Sequence, residues 1–124
     1  MAMTPIFQRE IVEVPFLLPD GIVKNHPALV VSVPELQEEE EGMFYAVLIS
    51  TKNHHPRYTI EIKAEDIVNQ PYVERKSYFV THIITYFLSR DVIQRKGYFV
   101  TKSKFNEVVD IVISNIFGDP LDES

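Results

Sequence analysis

The segment Lys24-Asn25-His26-Pro27 sets a cation, an amide and an imidazole side by side, directly ahead of the apolar run Ala28–Val31. An imidazole titrates near 6.5, so it can give or take a proton close to neutrality. A second imidazole, His82, lies inside another apolar run, Tyr78–Ile84, and a third group, His54-His55, sits in a polar stretch ending at Pro56. Ser50 and Thr51 close the run Met43–Thr51, with Lys52 just beyond. Each group also has an ordinary structural use. His26 suits an exposed loop before a proline, His82 a buried and hydrogen-bonded imidazole, and Ser50 and Thr51 turn hydroxyls. Adjacent side chains of an extended segment point to opposite faces, and no carboxylate cluster flanks His54-His55, so no metal site is expected there. The absence of cysteine removes thiolate chemistry and zinc ribbons.

These groups need a scaffold. Residues 9–17, REIVEVPFL, are rich in β-branched and aromatic types and predict a strand near 10–16. Pro19-Asp20-Gly21 is turn chemistry, since proline fixes φ and glycine accepts a positive one. Lys24–His26 are therefore expected in a loop between two strands, the second spanning roughly 27–33. Polar groups held between buried strands are a common way to build a site. Residues 34–42, PELQEEEEG, are bounded by breakers and read as a solvated acidic loop or a frayed helical turn. Met43–Thr51 is apolar on both faces and predicts a central strand. Tyr58–Lys63 alternates and predicts a half-exposed strand, Ala64–Val68 a short helical turn, and Gln70-Pro71 a break. Tyr78–Ile84 predicts a strand buried on both sides. Thr85–Val92 is extended or a turn, and 93–100 a strand or an irregular segment.

The C-terminal helix has the clearest local signature. Phe105, Val108, Val109, Val112, Ile116 and Phe117 fall at helical spacing. Thr101 suits the N-cap, Val100 and Phe105 a hydrophobic staple, and Gly118 followed by Pro120 the exit. Five or six short strands closed by one helix predict a mainly β (α+β) domain, a strongly bent antiparallel sheet or open barrel.

With 124 residues, 45% hydrophobic and 24% charged, the chain has the size and balance of one folded domain. No apolar run approaches the roughly 20 residues of a membrane span, and no signal-peptide pattern opens the chain, so a cytoplasmic location is expected. The net charge of −6 argues at first against a nucleic-acid partner. Its placement weakens that argument. Residues 35–41 hold five glutamates and no base; without them the charge is −1, and without Asp119, Asp122 and Glu123 as well it is +2. The acidity belongs to one loop and to the tail 119–124, which is expected to be disordered.

Taken in order, IVEVPFLLPDG, HPALVVS, FYAVLIST, YTIEI and TKSKFNEVVDIVI resemble the MazF/PemK-like family, toxins of bacterial type II toxin–antitoxin pairs. The likeness spans about residues 10–117. It implies an SH3-like open barrel with a C-terminal helix, usually a homodimer, and a metal-independent, cofactor-free endoribonuclease of the mRNA-interferase type. Its partners would be single-stranded RNA and a cognate antitoxin protein. The family's RP dipeptide presents an arginine to the scissile phosphate; here His26 holds that position. The family's strand-end hydroxyl maps to Ser50, or to Thr51 with a register slip of one. A further family arginine maps near Ile84, where Thr85 and His82 are the nearby polar residues.

The resemblance thus implies His26 as acid or base, Ser50 as a phosphate hydrogen-bonder and His82 as the second titrating group. Lys24 supplies charge, and Asn25, Thr51 and Lys52 touch substrate. Tyr45, Tyr58, Tyr78, Tyr86 and Tyr98 are expected to stack on bases or to pack in the core or an interface. The alternative is a barrel of the same fold that has lost catalysis and serves as a nucleic-acid or protein binding module.

Overall fold

Val12, Val14 and Phe16 alternate with half-buried neighbours, and the three are fully buried on one face of β1 (Glu10–Leu17). This computed structural model describes residues 5–53, 55–69 and 75–118; His54, Gln70-Pro71 and the acidic tail fall outside the described residues. After β1 come β2 (Val23–Val30), a short helix α1 (Glu35–Glu39) and β3 (Met43–Ser50). Then follow β4 (Thr59–Ile62), β5 (Ile67–Val68), β6 (Ser77–Leu88), β7 (Gln94–Val100) and α2 (Lys102–Phe117). Single 3₁₀ turns precede β4, β5 and β7, at Pro56–Tyr58, Ala64–Asp66 and Ser89–Asp91.

All seven strands form one antiparallel sheet in the order β4-β6-β3-β2-β1-β7-β5. The expected mainly β domain with a C-terminal helix is present as one open sheet, with seven strands among the described residues in place of five or six. The unanticipated strand is β5, only two residues paired to the end of β7, while the segment 93–100, open between strand and irregular, is the strand β7. Too few alternating residues mark β5, and Gly97, at φ 76°, interrupts β7. The ambiguous segment Thr85–Val92 proves to be the second half of β6 and a 3₁₀ turn.

The sheet carries a core on each face. On one, Val12, Val14, Phe16, Ala28, Val30, Phe44, Ala46, Leu48 and Phe87 pack together with Ile6. On the other, Leu29, Val47, Ile49, Phe79 and Val100 meet Phe105, Val108 and Val112 of α2. Each such buried side chain contributes about 1.5–3 kcal/mol, which is what holds α2 on the sheet. Thr101 caps α2 as expected, its hydroxyl accepting from the Lys104 N–H at 3.3 Å, and Gly118 follows at φ 66°. The apolar stripe is buried only in part: Ile116 and Phe117 overhang the sheet, with Phe117 71% exposed.

Two buried polar contacts join neighbouring segments, β1 to β7 and α1 to the N-terminal segment. Glu10, 1% exposed, receives a two-pronged ion pair from Arg95 at 2.6 and 2.7 Å. The acidic segment is more than a solvated loop, because Gln37 of α1 is buried. Its Oε1 accepts from the Ile6 N–H at 2.8 Å, and its amide donates back to the Ile6 carbonyl. The glutamates of α1 remain exposed around that anchor.

Candidate active site

Lys24, Asn25 and His26 stand on a strand, not in the loop expected from the sequence. The β1–β2 turn is confined to residues 18–22, with Asp20 accepting from the Ile22 N–H at 2.9 Å and Gly21 at φ 85°. From Val23 onward β2 runs beside β1, pairing Lys24 with Phe16 and His26 with Val14. The β3 partner reaches only Ala28–Val30, so the outer half of β2 is locally an edge, where Pro27 is tolerated. Alternation then puts Lys24 and His26 on the face of Phe16 and Val14, and Asn25 on the other.

That face opens into a cleft of about 440 Å³. Its lining includes Lys24 and His26 from β2, Ser50, Thr51 and Lys52 at the end of β3, and His82 from β6. Leu18, Leu48, Val80 and Ile83 form an apolar floor continuous with the first core. Six of the seven residues picked out from the sequence therefore share one concavity, and Asn25 does not.

His82 reaches the cleft because β6 bulges. Val47 pairs with Ile84 and Ile49 with Phe79, so four residues of β6, Val80–Ile83, stand against Leu48 alone. Such an excess bends a strand and re-aims its side chains. The His82 ring lies 4.8 Å from the Tyr58 ring and 5.6 Å from that of His55, and its Nδ1 is buried with no hydrogen-bond partner among the described residues. Burial first, and the charge of His55 second, push the His82 imidazole below the usual 6.5. It is therefore neutral at pH 7 and available as a proton acceptor.

His26 is half-buried, its ring set edge-on to Phe16 at 6.5 Å. Ser50 Oγ accepts from the Lys52 N–H at 3.1 Å, a local turn bond that leaves its own hydrogen free to donate to a ligand.

Sequence reasoning missed His55, Thr59 and Asp20 as lining residues. His55 was weighed only as a metal ligand, and its position depends on the 3₁₀ turn Pro56–Tyr58, signalled by nothing stronger than Pro56. The tyrosines do not stack in the cleft: Tyr58 packs beneath His82, Tyr45 and Tyr86 pair on the outer sheet at 6.4 Å, and Tyr78 and Tyr98 are half-buried elsewhere. Among the described residues no group of three or more His, Asp or Glu is placed to hold a metal ion. The lining carries two lysines, three histidines, one aspartate and no arginine.

No protein-family profile matches the sequence, and no curated protein matches it. Solved structures do resemble the fold. MazF from Deinococcus radiodurans superposes with a TM-score of 0.72 at 12% identity, covering 91% of this chain and 97% of that one. A mycobacterial endoribonuclease in complex with its cognate antitoxin gives 0.64 at 16% identity, over 95% and 98% of the two chains. The Mycobacterium tuberculosis toxin MazF-mt6 gives 0.59 at 16%, over 86% and 94%. Strand order, bulge and terminal helix thus assemble into one architecture along nearly the whole length: the chain has the fold of the MazF toxins.

Proposed function

We propose that this protein is a toxin-type endoribonuclease on an SH3-like barrel, cleaving single-stranded RNA without a metal and restrained by a cognate antitoxin. The observation that carries this reading is the meeting of Lys24, His26, Ser50, Lys52 and His82, from three separate strands, in one cleft. The fold shared with MazF, and with an endoribonuclease solved together with its antitoxin, supports it.

The groups suit transesterification. Neutral His82 accepts the proton of a 2′-hydroxyl, and the freed oxygen attacks the adjacent phosphorus. The bond to the 5′-oxygen breaks as protonated His26 supplies that oxygen with a proton, leaving a 2′,3′-cyclic phosphate and a 5′-hydroxyl. The ammonium groups of Lys24 and Lys52 and the Ser50 hydroxyl stabilise the charge that builds on the phosphorane oxygens. An RNA substrate implies a cytoplasmic site of action, and no helix among the described residues is long and apolar enough to cross a membrane. A homodimer would cover the apolar side chains that the fold leaves exposed at the end of α2, Ile113, Ile116 and Phe117.

One observation favours a second reading, a non-catalytic binding module. The cleft has no arginine, and the position that resembles the family's phosphate-facing arginine is His26. Induced expression in a bacterial host separates the two. Growth arrest, with cellular RNA fragments ending in cyclic phosphate, supports the nuclease; normal growth and intact RNA support the module.

A further inference from the structure

His55, Tyr58 and His82 form a closed group of rings at the wall of the cleft. His82 meets Tyr58 at 4.8 Å and His55 at 5.6 Å with the two imidazoles perpendicular, and His55 meets Tyr58 at 6.5 Å. The group is built in from behind. The Tyr58 N–H donates to the His55 carbonyl at 2.8 Å, closing the 3₁₀ turn, and the Thr81 hydroxyl donates to the Tyr58 carbonyl. Thr81 in turn accepts from Asn115 of α2 at 2.7 Å. Two imidazoles fixed this close repel when both are protonated, and burial and then the charge of His55 lower the His82 imidazole.

We propose that the His55–His82 pair accommodates one proton more readily than two, and that protonation at this pair gates the cleft's grip on a phosphodiester. This inference rests on the reading that the cleft accepts a nucleic-acid phosphate. His55 is the exposed member, open to a phosphate as a charged donor, while burial and the charge of His55 disfavour a proton on His82. Separating two titrating groups by environment assigns acid and base roles.

Among the described residues, the other charged or titratable groups lining the cleft with the pair are Lys24 and His26 from β2, Lys52 after β3 and Asp20 from the β1–β2 turn. Arg57 and Tyr58 flank it on the 3₁₀ turn, with the Arg57 guanidinium 5.6 Å from the Tyr58 ring. From α2, neutral Asn115 reaches the Thr81 hydroxyl behind the rings. Of the side-chain types present, imidazole is the one that ordinarily changes charge between pH 6 and 8.

The test uses NMR titration of the imidazoles in the full chain, with a 2′-deoxy dinucleotide that cannot be cleaved. In His55→Gln the His82 midpoint should rise, and in His55→Lys, where a permanent charge replaces a titrating one, it should not. The wild type should bind the dinucleotide roughly tenfold more tightly at pH 6 than at pH 8, a gain typical of one charge-assisted hydrogen bond. His55→Gln should lose most of that gain, and His26→Gln should keep the His82 response. A His82 midpoint that ignores both His55 substitutions overturns the inference, as does affinity equally pH-dependent without His55. Cleavage plays no part in these readings, so RNA left intact by a protein with a working pair would count against the nuclease alone.

Discussion

The side-chain amide of Asn115, on α2, donates a 2.7 Å hydrogen bond to the hydroxyl of Thr81, the fully buried neighbour of His82 on β6. Through the Thr81 hydroxyl the helix reaches the Tyr58 carbonyl, and so the turn whose rings enclose His82. The helix therefore supports the site as well as the core.

Thr81→Val keeps the shape of the side chain and removes this link, leaving the Asn115 amide and the Tyr58 carbonyl without it. A loss of about 1–3 kcal/mol in urea unfolding is expected, the usual cost of unsatisfied buried polar groups. The His55 and His82 imidazole resonances should shift at the same time. Unchanged stability together with unchanged imidazole spectra would remove the helix from the account of the site.

Arg95→Met strands the carboxylate of Glu10, which is 1% exposed and bonded to Arg95 at two points. Breaking a buried pair from one side costs about 3–5 kcal/mol. The double variant Glu10→Leu with Arg95→Met should recover much of that loss, because no charge is then left in the core. Chemical denaturation of the three variants checks both halves.

His82 gives the fold a signed pH dependence. Its imidazole is lowered by burial and then by His55, so below 6.5 the unfolded chain takes up a proton that the folded chain resists. The associated stability is complete above about pH 6.5 and is lost as pH falls toward the lowered value. Thermal melts at about pH 7.5 and 5.5 should show a drop on acidification that is smaller in His82→Asn. An equal drop in the two proteins would contradict this assignment.

Phe117 is 71% exposed at the end of α2, beside the exposed Ile113 and Ile116. Phe117→Glu should convert a homodimer to a folded monomer in sedimentation velocity, with the circular dichroism spectrum retained. A monomeric wild type would leave the overhanging end of α2 unexplained by self-association.

The sequence carried the fold where one physical rule acts alone. Alternation marks Val12, Val14 and Phe16; the cap at Thr101 and the spacing Phe105, Val108, Val112 mark α2 and its buried face. It misled where register decides. Lys24–His26 look like a loop because they are polar, yet pairing with β1 holds them extended and turns Asn25 away from its two neighbours. It was silent where the sheet bends. Nothing local announces that Leu48 faces four residues of β6, and that excess is what brings His82 and the His55 turn to the same cleft. The acidic segment shows a similar limit: Gln37 reads as one more polar residue among glutamates until its contact with Ile6 is seen.

The central claim is that His26 transfers a proton during metal-free RNA cleavage. The direct measurement is the rate of cleavage of a single-stranded RNA in excess chelator between about pH 5 and 8, for the wild type and His26→Ala. The account predicts cyclic-phosphate products, a rate that varies with pH through the histidine range, and a loss of at least about tenfold in His26→Ala. RNA that stays intact across that range, or cleavage indifferent to His26, would contradict it.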